Sequence, residues 1–283
     1  MKIAILGANG QIGNALSKAL SKKYKIEKIT RKKLNYYNLK QVKEFLLNKD
    51  HNLIINAAAY TQVDQAEKEK NKAIILNAKF PKLLSEIAKI KNIPLIHFST
   101  DYVFSGKSKI PYKENSKPNP INFYGKSKLQ GDKYLLTSKC KGIILRVGWV
   151  YANKGKNFLN TMINISKKNK VLKIVNDQIG TPTNASFIAN ITKQLINKKI
   201  QNNKITVINV CPNKNTSWYK LTKYLFQKIN NKKVRILKIK TKDYKRIAKV
   251  PLFSQLNNKK LQFILKKKLP DWKTGVNLFI KQI

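Results

Sequence analysis

The sequence has few of the residues that build disulfide frameworks and metal sites. Its 283 residues include two cysteines, Cys140 and Cys211, and two histidines. Neither cysteine lies in a Cys-x-x-Cys or Cys/His ligand spacing, so we expect no disulfide scaffold. No run of 18 or more apolar residues occurs, which argues against a membrane-spanning helix. The first apolar run ends at a glycine turn and is too short for a signal peptide, so we expect a cytoplasmic protein.

Acidic residues are also scarce, with 13 against 59 basic residues and a net charge of +46. Such a charge is typical of nucleic-acid and anionic-surface binders. Only four of the basic residues are arginines, the side chains that clamp phosphates and read bases. The lysines are spread along every segment, without a basic tail. We therefore interpret the charge as the composition bias of an AT-rich genome and expect no specific nucleic-acid partner and no membrane partner. Nucleic-acid binding as the main task stays an alternative.

Short apolar strands alternate with helices over the first two-thirds of the chain. Strands are predicted at 2–6, 25–30, 53–58, 94–100 and 142–150. A helical stretch from 64 to 91 contains Pro81, which is expected to break or kink it. The alternation predicts an α/β fold, a Rossmann-like doubly wound parallel sheet with a smaller C-terminal substrate-binding lobe. We assign 1–150 to an NAD(P)-binding domain and 151–283 mostly to the lobe, with some segments returning to the sheet.

A glycine turn, Gly7-Ala8-Asn9-Gly10-Gln11-Ile12-Gly13, directly follows the first strand and opens the first helix. Glycine permits a tight turn and the close approach of a pyrophosphate to the helix N-terminus. This context predicts dinucleotide binding at Gly7, Gly10 and Gly13, although many glycine turns are only structural.

The end of the second strand reads Thr30-Arg31-Lys32-Lys33 and lacks an acidic residue. An acid there holds the 2′-hydroxyl of NAD, whereas a basic residue accommodates the 2′-phosphate of NADP. Arg31 therefore favours NADPH, with NADH as the alternative.

Tyr124 and Lys128 form a Tyr-x-x-x-Lys pair on a predicted helix, where residues four apart share a face. A nearby ammonium is expected to lower the pKa of the phenol, so that Tyr124 can give a proton to a ketone oxygen. The lysine can also hydrogen-bond the nicotinamide ribose. Thr100 ends a central strand, where open α/β sheets bind ligands, and its hydroxyl can align the substrate oxygen with Tyr124. These three are the candidate catalytic residues.

Together these features resemble the extended short-chain dehydrogenase/reductases, and in finer detail the dTDP-4-dehydrorhamnose reductase family. The matching stretches lie at 7–13, 56–67, 99–106, 124–131, 146–151, 157–158, 177–183 and 269–272. The resemblance implies reduction of the C4 ketone of a dTDP-linked 6-deoxy-hexulose to dTDP-L-rhamnose with NADPH or NADH. It also implies a nucleotide-sugar partner and permits a homodimer.

Carried over by position, the resemblance assigns further roles to this sequence. Cofactor contacts fall on Gly10, Gln11, Ile12, Asn35, Tyr36, Ala57, Ala58, Ala59, Tyr60, Thr61, Ser99, Tyr124 and Lys128. Substrate contacts fall on Thr61, Val63, Thr100, Asp101, Tyr102 and Trp149. Trp149 has a second interpretation as a core aromatic, and Asp177-Gln178 can be either structural or substrate-facing.

The sequence departs from the family pattern at several positions. Asn35 stands where an aspartate is frequent, and Val250-Pro251 replaces Arg-Pro. Some relatives hold magnesium through carboxylates where this chain has Ala15 and Ser186, so we predict no metal. Alternative functions are a reductase of another nucleotide-linked 4-keto sugar and a non-catalytic, cofactor-binding regulatory subunit.

Overall fold

Six parallel strands form the central sheet of the computed structural model, which describes residues 1–198 and 204–283. The strands of the described residues are β1 Lys2–Leu6, β2 Lys25–Ile29, β3 Leu53–Asn56, β4 Leu95–Thr100, β5 Gly142–Val147, β6 Val150–Tyr151, β7 Val171–Val175, β8 Ile179–Gly180, β9 Thr183–Asn184, β10 Ile205–Asn209, β11 Thr216–Ser217 and β12 Arg235–Ile239. The sheet order is β10-β5-β4-β3-β1-β2. Its order reverses beside β1, as in a doubly wound fold, and the predicted fold class is confirmed.

Alternate residues of each strand pack on opposite faces of this sheet. In β1, Ile3 and Ile5 belong to one hydrophobic cluster, whereas Ala4 and Leu6 belong to another. All four side chains are inaccessible to solvent. Because both faces of β1 are covered, its residues from Ile3 to Leu6 are apolar at every position.

Helices supply that cover. They are α1 Gln11–Leu20, α2 Leu39–Leu47, α3 Val63–Ala66, α4 Lys70–Ile74, α5 Phe80–Ile90, α6 Phe123–Thr137, α7 Phe158–Ser166, α8 Ala185–Lys198, α9 Trp218–Lys228, α10 Lys259–Leu265 and α11 Trp272–Ile280. Helices α1, α8 and α10 pack on one face of the sheet, and α2, α4, α5 and α6 on the other. No helix in the described ranges is long and apolar enough to cross a bilayer.

Pro81 does not break the helix, which runs without interruption from α4 through a π-helical turn over Ile75–Lys79 into α5. The irregularity that the sequence predicts is this π-helical turn, which directly precedes Phe80 and Pro81 and includes Asn77, four residues before the proline. There Asn77 donates to the Tyr60 carbonyl and to the Ser127 hydroxyl, and so ties the turn to α6.

The C-terminal lobe has its own hydrophobic cluster, which gathers α7, α9, α11, β7 and β12. Strand β10 and helix α8 follow α7 in the chain and yet belong to the sheet and its covering layer. The predicted strand at 142–150 is shorter than expected, since β5 ends at Val147 and the chain turns before β6.

Candidate active site

A cleft of about 840 Å³ runs along the carboxyl ends of the central strands. Residues of the glycine turn line one end of it, and Thr100, Tyr124 and Lys128 line the middle. Trp149 and Trp218 bring the C-terminal lobe to the far wall. Parts of the chain that are distant in sequence therefore meet in one depression, whose volume is that of a ligand pocket.

The glycine turn is packed so closely that side chains do not fit. Gly7 has φ +76°, and a Cβ there would lie 2.7 Å from the Ala58 nitrogen. A Cβ on Gly13 would lie 2.8 Å from the Gly7 carbonyl carbon. Glycine at these positions lets the first turn of α1 fold directly against the end of β1.

The N-terminus of α1 fits an anionic ligand. Its N-cap is Gly10, no side chain caps the helix, and no acidic residue occupies the first turn. The first backbone N–H groups and the positive end of the helix dipole therefore remain available to a pyrophosphate. The Gln11 Oε1 atom is buried there without a hydrogen-bond partner.

Basic side chains surround the end of β2. Arg31 lines the cleft, and Lys18 and Lys28 line a neighbouring groove of about 370 Å³. The nearest acid, Glu27, accepts hydrogen bonds from Lys33 at 2.7 Å and His51 at 2.8 Å. Burial raises its pKa, but these two partners outweigh burial and lower it to about 2. Glu27 is thus neutralised by its neighbours rather than aimed at a ligand.

Tyr36 lines the cleft and also braces the glycine turn. Its hydroxyl donates to the Ile29 carbonyl at 2.6 Å and accepts from the Gly7 N–H at 2.8 Å. Burial raises the pKa of this phenol to about 12. Tyr36 therefore links β1 to the end of β2 at the place where the cofactor is expected.

Helix α6 presents Tyr124, Lys128 and Asp132 on one face, each one turn from the next. The helix begins where the Asn122 side chain accepts a hydrogen bond from the Gly125 N–H at 2.8 Å. Lys128 and Asp132 are buried against the sheet, whereas Tyr124 remains partly exposed in the cleft. The Tyr-x-x-x-Lys spacing therefore does place both side chains on the cleft wall.

Thr100 joins Tyr124 at the end of β4. The phenol and the Thr100 side chain both line the cleft. The Thr100 hydroxyl donates to the Asp101 carboxylate at 3.0 Å and accepts from the Tyr102 N–H at 3.1 Å. The hydroxyl therefore lies beside the phenol with its proton directed to Asp101.

The pKa of Tyr124 lies above its ordinary value, not lowered toward neutrality as the sequence predicts. Burial raises the pKa of Tyr124, and the negative charges of Asp101 and Asp132 add to the rise. The Lys128 amine points to the sheet, where it donates to the Phe98 carbonyl at 2.6 Å. Burial lowers the pKa of Lys128 to about 8, although Asp132 opposes the shift. Tyr124 is thus a neutral phenol, the form that can donate a proton.

Trp149 has a backbone φ of +48°, a left-handed conformation that is uncommon for a bulky residue. Its indole stacks on that of Trp218, which donates a hydrogen bond to the Gln178 Oε1 atom at 3.0 Å. Asp177 accepts hydrogen bonds from Thr241. Gln178 and Asp177 therefore connect Trp218 to the segment around Thr241. Of the two interpretations of Asp177-Gln178, these contacts favour a structural role over a substrate-facing one.

Four of the predicted site residues lie away from the cleft wall. Gly13 is buried inside the turn, and Asn35 is exposed on the surface. Tyr60 donates to Glu69 at 2.7 Å, and Asp101 is buried behind Thr100. The other predicted residues line the cleft.

Comparison with known proteins shows the family to which this chain belongs. The family described as RmlD substrate binding domain matches residues 1–283. The dTDP-4-dehydrorhamnose reductase of Aggregatibacter actinomycetemcomitans is 36% identical over 284 residues, which cover 97% of each chain. That of Shigella flexneri is 33% identical and covers 100% of this chain and 98% of its own. The chain belongs to the dTDP-4-dehydrorhamnose reductase family. The resemblance drawn from the sequence is confirmed.

Solved structures of the dTDP-4-dehydrorhamnose reductase family share the fold. The reductase of Bacillus anthracis, crystallised in complex with NADP, superposes with a TM-score of 0.93 at 32% identity, covering 100% of this chain and 99% of that chain. A UDP-Glc/GlcNAc 4-epimerase from Campylobacter jejuni gives 0.77 at 16% identity, covering 100% and 99%, and shows a common fold alone.

Several cleft residues were not identified from the sequence of this dTDP-4-dehydrorhamnose reductase family member. Trp218 comes from α9, and the loop 152–157 closes one side of the cleft. Lys18 and Lys28 flank the glycine turn. No local motif marks these positions, since each reaches the cleft only through the packing of distant segments.

Proposed function

We propose that this protein is an NAD(P)H-dependent reductase of the C4 ketone of dTDP-4-dehydrorhamnose, giving dTDP-L-rhamnose. The observation that carries the proposal is the placement of Tyr124, Thr100 and Lys128 in the same cleft as the glycine turn. Membership of the reductase family and the NADP complex of the Bacillus anthracis relative support it.

The residues of the glycine turn would hold the cofactor pyrophosphate at the N-terminus of α1. Gly7 and Gly10 allow its close approach, and the side chains of Gln11 and Ile12 flank it. The bound nicotinamide would supply a hydride to the ketone carbon. Ser99, Thr100 and Lys128 line the cleft where the ribose and the substrate ketone would meet.

Tyr124 would donate the phenolic proton to the ketone oxygen as the carbon receives the hydride, giving a secondary alcohol and leaving a tyrosinate. The raised pKa of Tyr124 keeps its proton in place at neutral pH, before the reaction. Thr100 would orient the ketone oxygen by turning its hydroxyl from Asp101 to the substrate. Holding both reactants side by side makes the transfer effectively unimolecular.

NADPH is the cofactor that we favour over NADH. Arg31 lines the cleft, and Lys18 and Lys28 lie in the adjoining groove, so a 2′-phosphate would meet positive charge. Glu27, the acid on β2, is occupied by Lys33 and His51 and would not repel the phosphate.

On the substrate side, Trp149 and Trp218 offer a flat aromatic surface, and Thr61, Val63 and Tyr102 line the same cleft. We assign these residues to the nucleotide sugar. Asp101 acts behind Thr100 rather than on the sugar itself. The division into a cofactor domain over 1–150 and a lobe over 151–283, the cytoplasmic location and a homodimer remain predictions.

The test is consumption of NADPH by the purified protein with dTDP-4-dehydrorhamnose and with other nucleotide-linked 4-keto sugars, repeated with NADH. We expect turnover with the dTDP sugar and its loss in Tyr124→Phe, which keeps the ring and removes the proton. A Tyr124→Phe enzyme with nearly wild-type kcat contradicts the assignment. Turnover with a different nucleotide sugar alone would favour the alternative substrate, and cofactor binding without any turnover would favour a regulatory subunit.

A further inference from the structure

His97 lies in the middle of β4 and is wholly inaccessible to solvent, yet both of its ring nitrogens have polar neighbours. The Nδ1 atom lies 3.0 Å from the Nδ2 atom of Asn56 on β3. The Nε2 atom lies 3.2 Å from the Lys128 amine on α6. A buried chain of polar groups therefore runs from β3 through β4 to the lysine of the candidate active site.

The orientation of the Asn56 amide is fixed by the backbone. Its Oδ1 atom accepts the Ala58 N–H at 3.1 Å, so its Nδ2 group must face His97. The opposite orientation would turn the amide N–H groups toward the Ala58 N–H, donor against donor, and leave a buried donor unpaired.

This orientation selects the tautomer of His97. Because Asn56 donates to Nδ1, that nitrogen carries the lone pair, and the proton of a neutral imidazole must lie on Nε2. The Nε2–H then points at the Lys128 amine. Burial lowers the pKa of His97 well below its ordinary value, with Lys128 adding to the effect, so the ring remains neutral.

An imidazole N–H facing Lys128 distinguishes the two forms of the amine. The uncharged amine has a lone pair that accepts from Nε2–H while it donates to the Phe98 carbonyl. The ammonium has only donors, so one of its N–H groups would oppose the imidazole N–H.

We propose that Asn56 and His97 are positioning residues that present an N–H to Lys128, favour its uncharged amine, and so set the alkaline limit of the proposed reduction. The proposal rests on the proposed function for the role of Lys128. When Tyr124 gives up its proton, a charged Lys128 stabilises the tyrosinate that remains. Once Lys128 loses its proton that support is lost, so we expect kcat to fall.

The other ionisable groups around Lys128 either stabilise its charged form or have no effect on its charge. Asp132, one turn further along α6, favours the ammonium, but it is itself paired with Arg146 of β5 at 3.5 Å. Tyr124, one turn earlier, is a neutral phenol. His97 is thus the neighbour that works together with burial against the charge of Lys128.

The tautomer can be measured without substrate. The protein contains two histidines, so ¹⁵N-histidine labelling gives two sets of ring signals, and His51→Gln assigns them. We expect His97 to show a protonated Nε2 and an unprotonated Nδ1 from about pH 5 to about pH 9, a range that spans the ordinary pKa of histidine. A protonated Nδ1 or an imidazolium at neutral pH overturns the proposal.

The consequence for Lys128 is tested by the pH profile of kcat in two variants of similar size. In His97→Gln the amide can turn its oxygen to the ammonium, so the alkaline limb should move up by roughly one pH unit, the worth of a buried hydrogen bond to a charge. His97→Leu offers no acceptor, and its limb should not move upward. Equal limbs in the wild type and both variants, each folded by circular dichroism, contradict the proposal.

The two arms separate this inference from the proposed function. If the protein shows no reductase activity but His97 carries its proton on Nε2, the proposed function is refuted and the tautomer assignment stands. The role of Asn56 and His97 in setting a pH limit of the reduction is then refuted as well. Reductase activity with an Nδ1–H tautomer refutes only the inference.

Discussion

The indole of Trp149 lies flat on that of Trp218, with ring centroids 3.4 Å apart and planes inclined by 5°. Trp149 follows the last residues of β5, whereas Trp218 begins α9 in the C-terminal lobe. The pair therefore joins the two parts of the chain at the wall of the cleft. Because Trp149 holds an unfavourable positive φ, the stack and the hydrogen bond from Trp218 to Gln178 must stabilise it.

Trp218→Ala should weaken substrate binding more than it slows the chemical step. Loss of the stack removes about 0.5–1.5 kcal/mol of aromatic contact and frees Trp149 to leave its conformation. We expect KM for the nucleotide sugar to rise about two- to tenfold, with kcat changing less. Steady-state kinetics measure both. Trp218→Phe, which retains a ring, should lie between the wild type and the alanine variant, and a kcat loss at constant KM would contradict this role.

The sequence predicted best the features that depend on short, regular spacing. The glycine turn, the strands and the pair Tyr124–Lys128 each follow from neighbours within one helical turn or one strand. The Trp149–Trp218 stack could not be foreseen in this way, because it depends on a contact between residues far apart in the chain.

The protonation of the site illustrates the same limit. The spacing of Tyr124 and Lys128 gives the shared helix face, but not the direction in which the amine points. That direction depends on the Phe98 carbonyl and on His97, both on β4. Burial is the largest cause of the pKa shifts of Tyr124 and Lys128. An argument from sequence that considers only the charge of one residue beside the other does not include burial.

Arg31→Ala should lower the efficiency of the enzyme with NADPH and leave that with NADH nearly unchanged. A charged hydrogen bond to the 2′-phosphate is worth about 1.5 kcal/mol or more, so kcat/KM for NADPH should fall roughly tenfold. The matched control is Lys32→Ala, which removes the same charge from an exposed neighbour that is not part of the cleft wall. The difference between the cofactors should shrink with added salt. Equal losses with both cofactors would exclude a 2′-phosphate contact.

Gly13→Ala should destabilise the fold and impair cofactor binding together. The added Cβ would lie 2.8 Å from both the Gly7 carbonyl carbon and the Ala8 Cα, and backbone atoms there cannot move aside. Overpacking of this kind costs about 1–3 kcal/mol. Urea unfolding and cofactor titration measure the two effects. In Gly10→Ala the new Cβ meets only the Gly7 oxygen, at 3.3 Å, so its loss of stability should be smaller. Equal losses in the two variants would contradict the packing argument.

The Asp64 carboxylate on α3 binds the segment that follows β12, and this contact should make the free energy of unfolding depend on pH. Its carboxylate accepts hydrogen bonds from the Arg246 guanidinium at 3.0 and 3.2 Å and from the Ala248 N–H at 2.9 Å. Burial raises its pKa, but these hydrogen bonds and the charge of Arg246 outweigh burial and lower the pKa below its ordinary value. A carboxyl with a depressed folded pKa stabilises the fold above its unfolded pKa, and this stability is lost as pH falls through the folded value.

Asp64→Asn should therefore lower the free energy of unfolding by about 1 kcal/mol at pH 7, a modest value because the pair is partly exposed to solvent. The difference from the wild type should stay constant down to about pH 5 and shrink below the unfolded pKa of the carboxyl. Urea denaturation at several pH values measures it. Glu86→Gln is the matched control, since its ion pair with Lys82, at 3.9 Å, is exposed and should contribute nothing measurable. If the difference in free energy of unfolding between the wild type and Asp64→Asn grows as the pH falls, the Asp64 carboxylate does not stabilise the fold through this contact.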